Sequence, residues 1–223
     1  MELLKSNTII DNNYKPTLDL GYVDYFNRAL VFAQTNYQEQ LDKVAKSNFR
    51  RITPTAFFEE YVWCLSCVDS NPETVSKFFP ELSRQLVLFY NSFWDLNNFP
   101  KEEIVKNWIV NVNKSEKKFE QLYRCANIIN RGIKLFGWEE YKDNFLNSPE
   151  KLCVLPGIGA TGACHLSRNV GIWNDVISSS QLQELATHWG FENSQMLCLS
   201  LQKHFALQLK VIDMVLWYAV HTF

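Results

Sequence analysis

Charge of one sign is the first thing this sequence lacks. Its 223 residues carry 22 Lys and Arg against 24 Asp and Glu, a net charge of -2. That excludes a uniformly basic nucleic-acid coat but leaves room for a local basic face, because phosphate contacts depend on local charge. No apolar run suits a membrane span: the best, Val211 to Val220, is short and carries Asp213. The N-terminus, Met1-Glu2-Leu3-Leu4-Lys5-Ser6-Asn7, lacks the charged-then-apolar order of a secretion signal. Cys64 and Cys67 have no second close-spaced Cys or His pair to complete a metal site. On a helix their spacing puts both on one buried face, so a core role is the reading set against half a metal site. A disulfide framework does not suit a chain with this much core. The expectation is an intracellular protein (nucleus, or cytoplasm and nucleoid), not secreted, with no membrane partner, no metal and no cofactor.

What is present is apolar and aromatic. Hydrophobic residues make up 47% and Phe, Tyr and Trp 14%, a globular composition whose rings serve equally for core filling and base stacking. No strand pattern and no internal repeat stands out. Residues 1 to 18 are polar and read as an N-terminal arm; residues 19–223 read as a single domain of two lobes. Helical spacing runs from Val23 to Lys46 and from Ala56 to Ser66, the latter opened by Thr53-Pro54-Thr55. Asn71-Pro72-Glu73 opens another, which Pro80 is expected to interrupt before Leu82 to Phe93 continues. Pro100 precedes the next. Ser115 to Leu135, Trp138 to Leu146, a segment capped by Ser148 and stopped at Pro156, Ala160 to Val170, Ser179 to Trp189, Ser194 to His204 and Ala206 to His221 follow. The chain reads as all-α, with about ten helices.

Leu155-Pro156-Gly157-Ile158-Gly159 sits between two short helices. The two glycines are expected to adopt backbone angles that a side chain forbids, and Ile158 to anchor the turn. Such a turn leaves bare N–H groups at the start of a helix, where the helix dipole helps them hold a phosphate oxygen. This motif, followed by Ala163 and His165-Leu166-Ser167-Arg168-Asn169-Val170-Gly171, resembles the helix-hairpin-helix (HhH-GPD) DNA glycosylase superfamily. Phe57 to Trp63 is similar to an early helix, and Asp213 to Ala219 to a C-terminal helix, of one branch. The resemblance spans about residues 50–223 and is most specific at 155–171, with the helix-hairpin-helix at about 149–171.

The resemblance implies a bilobal helical fold with duplex DNA across its cleft, a flipped nucleotide between the lobes, and cleavage of a glycosidic bond in base excision repair of damaged DNA. It implies DNA contact by Leu155, Gly157, Ile158, Gly159 and Thr161. Where lyase-competent relatives carry lysine, this chain has Thr161, which has no amine for a Schiff base. Where the catalytic aspartate stands, it has Ser179, whose hydroxyl lacks the full charge that an oxocarbenium ion demands. Asp175 is the nearest substitute, set against the reading of an exposed loop acid. Asp213, Glu59 and Glu60 come next, set against ordinary ion pairing. His165 stands between a packed histidine and a base. No clustered cysteines accompany Cys198, so no iron–sulfur cluster is expected. Lys46, Arg50 and Arg51, and Lys114, Lys117 and Lys118, are candidate phosphate contacts or a solvated face. Phe89, Tyr90, Phe93 and Trp94 are a candidate stacking wall or core. The function this implies is a DNA-binding protein, either a monofunctional N-glycosylase (a hydrolase) for a damaged or modified base or an inactive glycosylase fold kept for binding. A protein partner is a further expectation.

Overall fold

A computed structural model describes residues 21–68, 70, 72–109 and 115–222. The expected arm and the candidate contact Lys114 lie outside the described residues. Among those residues the protein is all-helical, with twelve α-helices and one short 3-10 helix and no strand. They are α1 (Gly21–Lys46), the 3-10 helix (Phe49–Arg51), α2 (Pro54–Cys67), α3 (Pro72–Val87), α4 (Tyr90–Phe93), α5 (Glu102–Ile109), α6 (Glu116–Phe136), α7 (Trp138–Phe145), α8 (Pro149–Leu152), α9 (Ala160–Val170), α10 (Ser180–His188), α11 (Ser194–Phe205) and α12 (Leu209–Val220).

Helix starts are chemically marked. Thr53 Oγ1 accepts from the Ala56 N–H, Ser115 Oγ from Lys118, Ser148 Oγ from Lys151 and Asn193 Oδ1 from Met196. Each satisfies one of the orphan donors that a helix start leaves. At the far end of α6, Gly137 takes a positive φ of 75° and closes the helix with its N–H on the Ile133 carbonyl.

Four boundaries differ from the sequence reading, one of them a break at Leu88–Phe89 inside the expected Leu82 to Phe93 helix. Pro80 does not interrupt: α3 runs through it to Val87. Val75, Phe79, Leu82 and Leu86 are buried on one stripe that spans the proline. Packing both halves of that stripe in one core outweighs the backbone hydrogen bond that proline removes. The helix capped by Ser148 ends at Leu152, not at Pro156, and turns occupy the residues between. The last helix begins at Leu209 rather than Ala206, because Ala206 takes a left-handed φ of 54° and closes α11.

The apolar interior divides in two. One cluster joins α2 to α9, with Phe57, Phe58, Tyr61, Leu122 and Leu166 at its centre. The other joins α1 at the start of the chain to α10, α11 and α12 at its end, around Phe26, Ala33, Leu201 and Ile212. Chain ends therefore build one lobe and the middle of the chain builds the other. In the end-built lobe α1 packs along α12, and the rings of Tyr37 and Tyr218 stack in parallel at 4.0 Å. Tyr37 itself is non-helical (φ -140°, ψ 27°) and breaks α1 into two halves.

Candidate functional site

The hairpin is built from the inside out. Leu155 and Ile158 are buried, 2% and 4% exposed, so only their backbone is available to a ligand. The Ile158 N–H is already donated to the Leu155 carbonyl at 3.2 Å. Tyr61 in α2 donates its hydroxyl to the Pro156 carbonyl at 2.6 Å, with the Gln121 carbonyl of α6 at 3.1 Å. Sequence reasoning missed this brace; a tyrosine in a mostly apolar helix was its one signal.

The two glycines do different work, which corrects the expectation for one of them. Gly157 has φ +74°, and a Cβ there would lie 2.6 Å from Gln121 and 2.7 Å from Leu65. It is a glycine because the positive φ strains any side chain there; the Gln121 and Leu65 atoms are side-chain ends that can shift. Gly159 has φ -86° and ψ -177°, ordinary extended backbone, and a Cβ there would meet nothing within 4 Å. The fold does not require glycine at 159. Gly159 caps α9 without a side chain, is exposed, and is followed by exposed Ala160 and Thr161. The first-turn N–H groups of α9 therefore receive no side-chain cap at the positive end of the helix dipole.

Helices α2 and α9 run antiparallel, since Leu65 meets Gly157 at one end while Glu60 meets Asn169 at the other. Cavities flank both ends of this pair. At the hairpin end a cavity of about 250 Å³ is lined by Trp63, Cys67, Thr161, His165, Trp217 and His221, with Arg168 at its floor. The His165 ring lies 5.2 Å from that of Trp217, and its buried Nδ1 has no hydrogen-bond partner. Burial, and then the positive charge of Arg168, hold the His165 imidazole well below its ordinary value, so it is neutral at pH 7. Thr161 thus faces a cavity, at the place where the resemblance sets a lysine.

At the other end two cavities of about 310 and 340 Å³ lie between the lobes and share Lys43, Glu59, Glu60 and Asn169. Glu60 Oε2 accepts from Asn169 Nδ2 at 3.1 Å, and Glu59 Oε1 accepts from the Ser83 hydroxyl at 2.6 Å. Lys43 Nζ stands 3.6 Å from Glu59 and 4.0 Å from Glu60. The Glu60 side chain is only 18% exposed. Burial pushes its carboxyl up to about 7, and Lys43 only partly opposes this.

A buried ion pair separates the two ends. Arg168 Nη1 donates to Asp213 Oδ2 at 2.7 Å, and both side chains are 2% exposed. Arg168 Nε donates to Asn169 Oδ1, and Asp213 Oδ1 accepts the Ile177 N–H at 2.9 Å. Asp213 therefore braces the α9–α10 loop rather than lining a cavity. In that loop Asp175 Oδ1 accepts from the Val176 N–H at 2.8 Å and from Gln195 Nε2 at 3.3 Å. Ser179 is the N-cap of α10, its hydroxyl accepting from the Leu182 N–H at 3.1 Å. Neither Asp175 nor Ser179 lines any of the three cavities.

The remaining candidates divide similarly. Lys118 Nζ donates to the Ser66 and Val68 carbonyls at 3.0 and 2.6 Å, so it closes the end of α2. Lys117, Lys46, Arg50 and Arg51 are exposed. Tyr90 and Phe93 are buried, and Trp94 packs on that core and donates its indole N–H to Thr55, so this aromatic run is interior. Cys64 is buried and Cys67 half-buried, and burial pushes the Cys67 thiol up to about 12. Among the described residues no three His, Cys, Asp or Glu side chains group as a metal site needs, and no helix is long and apolar enough to cross a membrane.

No family model matches the sequence, and no curated protein matches it. Solved structures do. A crystal structure of the 8-oxoguanine DNA glycosylase of Methanocaldococcus jannaschii aligns at TM-score 0.53 and 17% identity, over 89% of this chain and 94% of that one. The 8-oxoguanine glycosylase/lyase of the same organism, in complex with a 15mer DNA containing 8-oxoguanine, aligns at TM-score 0.51 and 15% identity, over 86% of this chain and 94% of that one. With its two lobes and its hairpin between α8 and α9, the chain has an all-α, DNA glycosylase-like fold.

Proposed function

We propose that this protein binds duplex DNA through the backbone at the start of α9 and takes an extrahelical nucleotide into the adjoining cavity. In this reading a phosphate oxygen sits on the uncapped N–H groups beyond Gly159. An unstacked base lies in the cavity between Trp63, His165 and Trp217, where aromatic faces replace the stacking lost on flipping. One observation carries this reading: Gly159 is a glycine that neither the turn angle nor the packing demands, at the exposed cap of a helix whose first turn opens onto a cavity. Glycine is also an ordinary N-cap residue, and here it leaves the bare backbone open to close approach by a ligand. The neighbour that holds DNA has the same fold.

The chemistry proposed is that of a monofunctional base-excision N-glycosylase acting on a damaged or modified base, without strand cleavage by a lysine. Its acid would be Asp175, which lines none of the three cavities and would have to reach the base by a shift of the α9–α10 loop. A second reading, a glycosylase fold kept for DNA or partner binding after loss of chemistry, is favoured by one arrangement. The Asp175 carboxylate is engaged by Val176 and Gln195, and Ser179 by its own helix. Two measurements separate the readings. Base release from duplexes carrying single modified bases, abolished by Asp175→Asn with binding kept, supports the enzyme. Binding without release from any such duplex supports the module. If no duplex is bound and Gly159→Val changes nothing, both fail. Borohydride trapping of the wild type on abasic DNA is expected to yield no adduct in α9; an adduct mapped there overturns the absence of lyase chemistry.

A further inference from the structure

We infer that Arg168 reads the base held in the hairpin-end cavity and selects a neutral base that carries a carbonyl oxygen on its edge. This rests on the nucleotide-binding role proposed for that cavity and adds the chemical class of its occupant. Thr161, His165 and Arg168 follow one another at steps of four and three residues along α9, so they share the face that lines the cavity. Arg168 is the most deeply buried of the three, with its side chain 2% exposed. Of the three cavities it lines this one alone.

The guanidinium is held in place but only partly used. Nη1 donates to Asp213 Oδ2 at 2.7 Å, and Nε donates to Asn169 Oδ1 at 3.2 Å. Its central carbon lies 5.9 Å from the centroid of the Trp217 ring, which also lines the cavity. Nη2 has no partner among the described residues, and it is not sealed inside the protein. Both of its N–H bonds are therefore free for an acceptor that enters the cavity. Arginine is the usual protein donor to a base carbonyl. Here Asp213 and Asn169 hold the planar fork before any ligand arrives, so little of its freedom is left to lose.

The rest of the lining sets what is rejected. No Asp or Glu lines this cavity. The Asn169 amide is spent on both sides, its Nδ2 on Glu60 and its Oδ1 on Arg168. Burial pushes the Cys67 thiol up to about 12, so it carries no negative charge at pH 7, and His165 is neutral. A positively charged alkylated base would meet a guanidinium there and no carboxylate of its own. Adenine sets an amino donor where hypoxanthine, guanine or uracil sets a carbonyl acceptor. A carbonyl-bearing base supplies the acceptor that Nη2 lacks.

Probes that differ at the carbonyl test this. One pair is a duplex with a single mispaired hypoxanthine and the same duplex with purine, which lacks the oxygen, in its place. The other is the two free bases, followed by quenching of tryptophan fluorescence. The wild type should prefer hypoxanthine by about tenfold to a hundredfold in both formats, the range of a hydrogen bond to a charged group. A duplex with 1-methyladenine, a cation, should bind no better than the purine duplex. Arg168→Lys keeps a cation for Asp213 but not the fork that serves Asp213, Asn169 and a ligand at once. It should fold, bind duplex in a manner still weakened by Gly159→Val, and lose the preference for hypoxanthine. An arginine with a merely structural role would change both probes alike. The reader is overturned if the wild type binds both probes equally while Gly159→Val still weakens duplex binding, a result that leaves the DNA-binding reading standing. It is overturned as well if Arg168→Lys keeps the preference. If no duplex is bound and no free base quenches the fluorescence, both fall. Should Arg168→Lys fail to fold, the wild-type comparison of the probes still decides.

Discussion

The two ends of the α2–α9 pair are built from the same two helices and yet offer opposite chemistry. The hairpin end presents bare backbone, Thr161, two indole rings and a neutral histidine around a cavity. The interlobe end presents Glu39, Glu59 and Glu60 among Lys43, Lys46, Arg51 and Arg84. Antiparallel packing produces the contrast. It sets the uncapped start of α9 against the end of α2, and the end of α9 against the early turns of α2, where Glu59 and Glu60 stand. One helix pair therefore presents bare backbone at one end and ionisable side chains at the other. Between them, the buried Arg168–Asp213 pair ties α9 to α12.

That comparison is broken most severely at its midpoint. Asp213→Ala leaves Arg168 buried without a counter-charge and frees the Ile177 N–H, and should destabilise the protein by about 3–5 kcal/mol in chemical denaturation. A loss below about 1 kcal/mol would mean that Arg168 reaches water or a second acid.

At the interlobe end the expected change has the opposite sign. A carboxyl held at about 7 in the folded protein and at 4.5 when unfolded destabilises the fold progressively as pH rises between those values. Glu60→Gln removes that burden. At pH 8 it should be more stable than the wild type by as much as about 3 kcal/mol, since each pH unit between the two values is worth about 1.36 kcal/mol. Below pH 4.5 the two should converge. Equal stability across the whole range would remove the contrast between the ends.

The hairpin end is sharpened by its two glycines. Gly157→Ala meets both a positive φ and the side chains of Gln121 and Leu65, and should cost roughly 1–3 kcal/mol of stability. Gly159→Ala should stay within about 0.5 kcal/mol of wild type, because its new methyl group points into open space, and yet weaken binding to all duplex sequences alike. Binding unchanged in Gly159→Ala and Gly159→Val would reduce the hairpin to a structural turn.

The smallest effect belongs to the loop between the ends. Ser179→Ala deletes the α10 cap and should cost about 1 kcal/mol by thermal or chemical melting. Ser179→Asp keeps a capping oxygen and should restore it. A change in base release with Ser179→Ala, at unchanged stability, would give Ser179 more than a capping role.

Much of the helical frame was legible in the residues. Capping hydroxyls at Thr53, Ser115 and Ser148 are local chemistry, and the bounds read for α9, Ala160 to Val170, agree with the structure. Pro80 misled because its penalty is local while its compensation, a buried stripe from Val75 to Leu86, is tertiary. Ala206 misled because nothing in an alanine announces a left-handed turn. At the site, the pattern from Leu155 to Gly159 was recognisable as a hairpin, but its two glycines looked alike. Glu59 and Glu60 were visible as acids on an apolar helix, without any sign of which one would be buried against an amide.

By itself the sequence determined the class of the fold, the location of its hairpin and the absence of an amine at position 161. These depend on which atoms a residue carries and on spacings of a few residues along one helix. Only the tertiary structure decided that Gly157 meets the ends of Gln121 and Leu65 while Gly159 meets nothing, that Lys118 is spent on α2, that Asp213 is paired with Arg168, and that Glu60 accepts from Asn169. Each of those depends on a partner more than 40 residues distant in the chain or on water excluded by another helix. Desolvation and close approach are properties of an assembled interior, which a linear pattern does not contain.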